Sequence, residues 1–540
     1  MIRYIIRYLE KFKTVSSNRL LVYVSVFFIL FCNNSFFSNV LTIYPLNANN
    51  LFFIVSLAIV FTAALVLLLS VFCFKYTIKP ILITLLLVSS LAAYFMDSYN
   101  TIIDENMVQN IINTDFHESL DLFSFKLVLY LFFYGILPSI YVYKVHVNYL
   151  SFWKEVIARV KLIAGMLLTM VISIALLSDF YSSFFREHKP LRYYSNPGYY
   201  IFSTTKYVSS FFKSATMEFK EIAEDAKKLG SNDNRKLVIF VVGETARADR
   251  FSLNGYKRET NPGLEKENVV SFSNFWSCGT TTSVSVPCMF SSVGEKDYDK
   301  EVILHTENVL DILQRVGDNI LWLDNNSSSK GVADRVPYQS YKSPDVNPVC
   351  DSECRDVGML ANLQEYIDKT RKGDIFIVLH QMGNHGPAYY KRYPEAFKKF
   401  KPVCKTNQLE DCSSEEINNA YDNAIRYTDY FLVKTIDFLK KNSEFQSAML
   451  YVSDHGESLG ENRLYLHGLP NFIAPDVQLH VPVIFWASKN NRQFNLEQLL
   501  QQKNRKLSHD NLFSTILGMM DVKTKVYQPS MDFLRSEGTK

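Results

Sequence analysis

The sequence carries little net charge for its length. Lys and Arg number 57 and Asp and Glu number 54 in 540 residues, which leaves a net charge of +3. Nucleic-acid-binding domains usually present a strongly basic surface, so we exclude nucleic acid as a partner. Internal repeats and low-complexity tracts are also absent, and their absence excludes a repeat architecture.

The sequence also lacks the paired Cys-x2-Cys spacing of a structural zinc site. Six of its eight cysteines fall into short-range pairs: Cys278/Cys288, Cys350/Cys354 and Cys404/Cys412. In a reducing cytosol such pairs favour metal binding, whereas outside the cytoplasmic membrane they favour disulfides. We expect three local disulfides. Cys32 and Cys73 lie within apolar runs and are expected to be small core residues.

Long apolar runs fill the chain up to about residue 180. They are Leu20–Phe37, Leu51–Phe74, Ile81–Met96, Phe125–Val145 and Leu162–Ser178. Each is close to the roughly twenty residues that cross a bilayer as a helix. A buried core helix is the alternative for any single run, but it does not account for five in succession. Residues 1–180 are therefore predicted to form a transmembrane domain of five helices.

Basic residues are distributed unevenly between the connecting loops. The N-terminal segment contains five, whereas Ser38–Asn50 and Asp97–Ser124 contain none. The positive-inside rule then places the N-terminus in the cytoplasm and everything after Leu177 on the outer side. Residues 181–235 are rich in Tyr, Phe and Lys and are predicted to form an amphipathic interfacial linker, with a charged helix over Met217–Lys228.

From residue 236 to 540, short β-branched and aromatic runs alternate with helical patterns, which is typical of an α/β domain. The predicted buried strands are Leu237–Val242, Asn319–Leu323, Asp374–Leu379, Ala448–Val452 and Val481–Trp486. Ser413 and Glu416 form a capping box at the start of a long amphipathic helix.

Polar side chains follow four of these strands. They are Glu244; Asp324, Asn325 and Lys330; His380, Asn384 and His385; and Asp454, His455 and Glu457. Each has an ordinary alternative, such as a solvated turn residue or a surface histidine. Ligands of open α/β sheets bind beyond the carboxyl ends of the strands, so together these residues predict one site.

The stretch Trp276–Ser292 places three threonines, Thr280 to Thr282, between Cys278 and Cys288. A hydroxyl held in a cross-linked loop suits covalent phosphoryl transfer, once a metal or a base removes its proton. The alternative is a helix-capping cluster ahead of Pro287. Asp, His and Glu together with a hydroxyl oxygen suit zinc or manganese, and imidazole favours zinc.

These motifs resemble those of the lipid A phosphoethanolamine transferases, the family that includes the mobile colistin-resistance enzymes. The matching segments are Gly243–Arg247, Cys278–Thr282, Pro287–Ser291, Ser329–Val332, His380–Pro387, Ser453–Gly460 and Leu466–Gly468. The resemblance implies five spans followed by a periplasmic α/β domain of alkaline-phosphatase/sulfatase type with a largely parallel central sheet.

The resemblance also implies roles for single residues. Thr282 would be the nucleophile, and Glu244, Thr282, Asp454 and His455 would be the Zn²⁺ ligands. Lys330, His385 and His467 would contact the phosphoethanolamine group of the donor, and Asn110, Thr114 and Glu118 would line the lipid pocket. Ser283 stands where the family commonly has alanine.

The implied activity is transfer of phosphoethanolamine from phosphatidylethanolamine, through Thr282, to lipid A or a core sugar of lipopolysaccharide. It would occur at the bacterial inner membrane, in a monomer, and would confer polymyxin resistance. The alternatives are a sulfatase-like hydrolase, a membrane phosphoglycerol transferase and a non-catalytic membrane-anchored binding protein. A sulfatase needs a Cys- or Ser-x-Pro-x-Arg segment, which is absent around Cys278 and Cys288.

Overall fold

The computed structural model describes residues 14–113, 122–214, 217–229 and 235–535. The chain divides into two compact units. One contains residues up to Val108 together with Phe123–Tyr207, and the other contains Gln109–Leu122 and the chain from Val208 onward. The second boundary therefore falls inside the segment that the sequence assigns to a linker.

The first unit is helical. Its helices are α1 (Ser17–Phe31), α2 (Asn34–Ile43), α3 (Ala48–Phe72), α4 (Ile78–Tyr99), α5 (Glu105–Asn113), α6 (Phe125–Lys144), α7 (Phe152–Leu176), α8 (Ser178–Glu187) and α9 (Gly198–Ser214). Helices α5 and α9 both continue into the second unit. Within the described residues, α3, α4, α6 and α7 are long and apolar enough to cross a membrane. Helices α1 and α2 make a fifth crossing if the pair is counted as one span.

The first predicted span is bent rather than straight. Helices α1 and α2 meet at an angle of 58°, with Asn33 between them. The Asn33 amide is buried and donates to the carbonyl oxygens of Phe28, at 2.9 Å, and of Asn196, at 2.5 Å. Asp97 accepts the Ser35 N–H at 2.9 Å and so caps the first turn of α2. The first apolar run, Leu20–Phe37, is therefore not one continuous helix, because buried polar residues lie at the break between α1 and α2.

The charged helix predicted over Met217–Lys228 is also wrong. The backbone N–H groups of Ile222 and Ala223 donate to the Glu307 carboxylate at 3.1 and 3.2 Å. Further along, Lys227–Lys228 pairs with the short strand Val522–Lys523. The backbone groups that a helix would use internally are thus bonded to other parts of the second unit.

The second unit contains an eight-stranded sheet, counted over its described residues. The strands are β1 (Lys236–Gly243), β2 (Val270–Trp276), β3 (Asn319–Asp324), β4 (Tyr338–Ser340), β5 (Ile375–His380), β6 (Gln446–Ser453), β7 (His480–Ala487) and β8 (Leu507–Ser508). Their order is β8-β2-β7-β6-β1-β5-β3-β4.

The sheet is mixed, because β7 runs antiparallel to both of its neighbours, β2 and β6. The other five neighbouring pairs, again among the described strands, are parallel. Strand β2 thus ends at the same edge as β6, β1, β5 and β3, and so do β8 and β4. Seven of the eight described strands therefore end on one side of the sheet.

Helices cover both faces of the sheet. They are α10 (Thr282–Phe290), α11 (Lys300–Leu304), α12 (Val309–Arg315), α13 (Leu363–Lys369), α14 (Ser414–Lys441), α15 (Leu496–Gln502) and α16 (Leu512–Met519). Alternate residues of β1 enter two separate hydrophobic cores, with Phe240 in one and Ile239 in the other. Burial on both sides explains the continuous apolar strand sequences. Helix α14 begins at the predicted capping box of Ser413 and Glu416.

Candidate active site

Two neighbouring parallel strands deliver the acidic residues of the site. Gly243 at the end of β1 pairs with Ser453 at the end of β6, so the next residues, Glu244 and Asp454, leave the sheet side by side. His455 Nε2 lies 3.5 Å from Glu244 Oε1 and 3.3 Å from Asp454 Oδ2. All three side chains are fully buried.

Thr282 faces this cluster from the first position of α10. Its Oγ1 lies 3.2 Å from Glu244 Oε2 and 3.4 Å from His455 Nε2. The other two threonines bond elsewhere: Thr280 Oγ1 donates to the Leu469 carbonyl at 2.6 Å, and Thr281 Oγ1 lies 3.2 Å from Ser283 Oγ. Among the described contacts of the three threonine hydroxyls, only those of Thr282 reach the acidic cluster.

Disulfides form at all three predicted cysteine pairs: Cys278–Cys288, Cys350–Cys354 and Cys404–Cys412. The first ties the loop before Thr282 to the last turns of α10. The position of the Thr282 hydroxyl is thus held by a covalent link within its own loop and helix.

The hydrogen bonds around the cluster leave one atom each of Asp454 and His455 available to a metal ion. Asp454 Oδ1 accepts the N–H groups of Thr245 and His455, whereas its buried Oδ2 has no hydrogen-bond partner. His455 Nδ1 lies 2.8 Å from the Gly456 carbonyl, which turns Nε2 inward. Such outer contacts are typical of metal ligands, and the donor set of Glu244, Asp454, His455 and Thr282 fits a divalent cation.

The electrostatics of the cluster favour the same conclusion. Burial, together with the nearby Glu244 carboxylate, raises the pKa of Asp454. Burial also disfavours the charged form of Glu244, but the charges of His455 and His385 outweigh it and lower the pKa of Glu244. Two buried carboxylates this close repel each other, and a bound cation would relieve that repulsion.

The remaining predicted histidines lie beside the cluster. The His467 ring centroid is 4.2 Å from that of His455 and 5.9 Å from that of His385. His467 Nδ1 lies 2.7 Å from the buried Glu457 carboxylate. Burial, with a smaller effect of His455, lowers the pKa of His467 to about 3, so the imidazole is neutral at physiological pH.

Lys330 connects to the cluster through a chain of contacts. Its ammonium bonds the hydroxyl of Ser327, whose N–H donates to Asn326 Oδ1 at 2.5 Å. Asn326 Nδ2 in turn donates to Glu244 Oε2 at 2.7 Å. The loop that follows β3 therefore carries both a partner of Glu244 and a cation.

The loop that carries His385 is fixed by residues that the sequence analysis missed. Asp356 accepts the N–H groups of Met382 at 2.8 Å and Gly383 at 3.2 Å. Gly383 has φ +51°, and a Cβ there would lie 2.8 Å from the Glu244 carbonyl oxygen. No local pattern marks Asp356, because its role depends on a loop 26 residues away.

Some predicted residues serve other purposes or lie elsewhere. Asp324 and His380 are fully buried and bond each other at 2.9 Å, so they support the sheet edge. Asn110 lies half-buried in α5. Thr114 and Glu118, the other two predicted lipid-pocket residues, fall outside the described residues.

Known families match both units of the chain. Residues 61–211 match the profile of the phosphoethanolamine transferases EptA/EptB, and residues 236–522 match the sulfatase profile. Phosphatidylethanolamine transferase Mcr-2 of Escherichia coli is 45% identical over 512 residues, covering 92% of this chain and 94% of the relative. The chain belongs to the phosphoethanolamine transferase family.

Two further members extend the comparison. Phosphoethanolamine transferase EptA of Escherichia coli K12 is 41% identical over 526 residues, or 95% of this transferase and 96% of EptA. The solved structure of the integral membrane lipooligosaccharide phosphoethanolamine transferase A from Neisseria meningitidis superposes with a TM-score of 0.93 at 34% identity. It covers 97% of this chain and 99% of its own. The fold is therefore that of a membrane phosphoethanolamine transferase with a sulfatase-like domain.

Proposed function

We propose that this protein transfers phosphoethanolamine from phosphatidylethanolamine to lipid A, or to the core of lipopolysaccharide, through a covalent intermediate on Thr282. The observation that carries the proposal is the position of Thr282 Oγ1, within 3.2–3.4 Å of Glu244 Oε2 and His455 Nε2. The similarity to transferases over nearly the whole chain supports the same chemistry.

Glu244, Thr282, Asp454 and His455 would hold a metal ion. Zinc suits a set of three oxygens and one imidazole nitrogen, and the unsatisfied Asp454 Oδ2 supplies an open ligand atom. When bound, the ion lowers the pKa of the Thr282 hydroxyl and offsets charge on the phosphate oxygens.

In the first half-reaction, the Thr282 hydroxyl gives up its proton to His385, and Oγ1 attacks the phosphorus atom of phosphatidylethanolamine. The P–O bond to the glycerol breaks, and diacylglycerol leaves as an alkoxide that must gain a proton. His385 and His467 lie beside the cluster. His385 is proposed to pass the proton taken from Thr282 to this oxygen, and the neutral His467 to donate a hydrogen bond to the phosphoethanolamine group, while Lys330 neutralises a phosphate oxygen. Thr282 at the N-terminus of α10 also places the phosphate where backbone N–H groups point outward.

In the second half-reaction, an oxygen of the acceptor attacks the same phosphorus atom. The bond to Thr282 Oγ1 breaks, and His385 is proposed to carry the proton that the acceptor gives up to the threonine oxygen. On a lipid A phosphate, the added ethanolammonium offsets negative charge and weakens the binding of cationic peptides such as polymyxins.

The protein is proposed to reside as a monomer in the bacterial inner membrane, with residues 1–180 as its transmembrane domain and 236–540 as a periplasmic domain. Residues 181–235 would form an amphipathic linker, part of it lying along the membrane interface. The loop charges support this orientation, and three disulfides suit an oxidising compartment. Asn110, Thr114 and Glu118 are proposed to line the lipid pocket on the same outer side.

Mass spectrometry of lipid A and core oligosaccharide from cells that express the chain tests the proposal. We expect lipid A to gain the mass of one or more phosphoethanolamine groups. An adduct on core sugar alone would identify the core, and not lipid A, as the acceptor. The absence of any adduct in cells that produce the folded protein would overturn the proposed function.

Replacing Lys330 by alanine should weaken donor binding more than catalysis. Loss of one charge-assisted hydrogen bond to phosphate costs about 1.5–3 kcal/mol, so we expect KM for phosphatidylethanolamine to rise about tenfold or more. Steady-state kinetics in detergent micelles measure this. The exposed Lys489 supplies the matched control, since K489A should leave KM unchanged. An unchanged KM in K330A would remove Lys330 from the donor site.

A further inference from the structure

His509 is a buried histidine that none of the proposed chemistry uses. It follows β8, whose residues Leu507 and Ser508 pair in parallel with Phe275 and Trp276 at the end of β2. The imidazole is fully buried and lies where β2 gives way to the loop that leads to Thr282.

Each ring nitrogen of His509 bonds a backbone atom of a different active-site segment. Nδ1 accepts the N–H of Cys278 at 3.2 Å, four residues before Thr282. Nε2 lies 3.1 Å from the carbonyl oxygen of Ser453, one residue before Asp454. A single side chain thus bridges the loop that carries the threonine and the strand that carries Asp454 and His455.

These two partners fix the protonation state of His509. A backbone N–H only donates, so Nδ1 must be unprotonated, and a backbone carbonyl only accepts, so Nε2 must carry the proton. Burial lowers the pKa of His509 to about 3, which agrees with a neutral ring. One neutral tautomer satisfies both bonds, whereas the imidazolium would lose the bond to Cys278.

A second contact joins the same two segments. Ser277 Oγ lies 2.5 Å from the Asp454 carbonyl oxygen and accepts the N–H of Gly279 at 3.1 Å. Ser277 stands within the loop itself, however, whereas His509 comes from a separate strand. His509 therefore ties the threonine loop and the end of β6 to a third part of the sheet.

We propose that His509 is a positioning residue that sets the distance between Thr282 Oγ1 and the Asp454–His455 pair. This inference rests on the proposed function. Because nucleophile and ligands must meet within a few tenths of an ångström for reaction, a displacement of about 1 Å costs about 100-fold in rate. Substrate binding by Lys330, His385 and His467 does not depend on His509, so the effect should fall on kcat.

His509→Phe tests the inference in the full-length protein in detergent micelles, with phosphatidylethanolamine carrying a fluorescent acyl chain as the probe. The phenyl ring keeps the packing against Phe275, whose centroid lies 5.9 Å away, and loses both hydrogen bonds. We expect kcat to fall about 10- to 100-fold, with KM for the lipid and the metal content per chain unchanged. Hydrogen exchange should show loss of protection at the Cys278 amide.

Two kinds of variant separate positioning from packing. Phe275→Leu weakens the ring contact and keeps both hydrogen bonds, so its kcat should remain near that of the wild type even if its Tm falls. His509→Asn and His509→Gln each retain one polar group and should give kcat values between those of the wild type and H509F. If H509F does not fold, the kcat values of the Asn and Gln variants test the inference instead.

A folded H509F with more than half of the wild-type kcat would overturn the inference. A kcat that falls only in proportion to the metal content would overturn it as well, because the effect would then be on ion binding. A wild-type protein that releases no diacylglycerol would instead refute the proposed function, so the two failures are distinguishable.

Discussion

Thr282→Val should abolish transfer while the protein keeps its fold. Valine preserves the β-branched shape at the start of α10 and removes only the hydroxyl, which lies 3.2 Å from Glu244 Oε2. Without a nucleophile no covalent intermediate forms, and we expect kcat to fall at least about 1,000-fold. Release of diacylglycerol from phosphatidylethanolamine measures the first half-reaction directly.

Thr281→Val is the matched control, since it makes the same chemical change one residue earlier. The Thr281 hydroxyl is 3.2 Å from Ser283 Oγ and has no contact with the acidic cluster in the described structure. T281V should therefore retain most of the activity. Intact-protein mass spectrometry should detect a phosphoethanolamine adduct on the wild type and T281V, and none on T282V. Comparable rates in T282V and T281V would refute Thr282 as the nucleophile.

Asp454→Asn should have opposite effects on stability in the metal-free and the metal-loaded protein. The Asn oxygen can still accept the N–H groups of Thr245 and His455. The buried Asp454 carboxylate repels Glu244, so replacing it should stabilise the metal-free protein by about 1 kcal/mol. The Tm of the metal-free protein should then rise by a few degrees. When free zinc is at a thousandfold excess over its Kd, binding should raise the free energy of unfolding of the wild type by about 4 kcal/mol. D454N should lose most of this stabilisation.

Chelation supplies the complementary measurement. Removal of the ion should inactivate the wild type, and added zinc should restore transfer. D454N should contain little metal by elemental analysis and remain inactive when zinc is added. Asp476→Asn, at an exposed position, should match the wild type in every assay. A chelated wild type with full activity, or a metal-free D454N that is less stable than the metal-free wild type, would contradict a cation site here.

The central strands and the residues that follow them could be predicted from the sequence. Strands β1, β5 and β6 are buried on both faces and read as continuous apolar runs. The polar residues that follow such a run leave the sheet at its edge, which is how Glu244 and Asp454 could be located. The preference for Thr282 over Thr280 came from the family resemblance, and the structure adds the reason that Thr280 is bonded to Leu469.

Other features depend on contacts that no local pattern reveals. Strand β2 carries the chain to Thr282, but its mixed polar and apolar sequence does not mark it as a buried strand. The antiparallel direction of β7 could not be predicted, because the apolar sequence of a buried strand does not depend on the direction of its neighbours. Asn326, and not Asn325, donates a hydrogen bond to Glu244. Which of the two side chains faces Glu244 depends on the backbone conformation of the turn after β3. The bend at Asn33 depends on Asn196, 163 residues later.

The contact between residue 383 and Glu244 bears on resistance to inhibitors. Any side chain at this position would have to move the backbone of Glu244, since its Cβ would lie 2.8 Å from the Glu244 carbonyl oxygen. An inhibitor that depends on the position of the Glu244 carboxylate would therefore meet little escape at residue 383, because a substitution there would also displace a residue proposed to hold the metal. Resistance to such a compound is expected to arise at other positions.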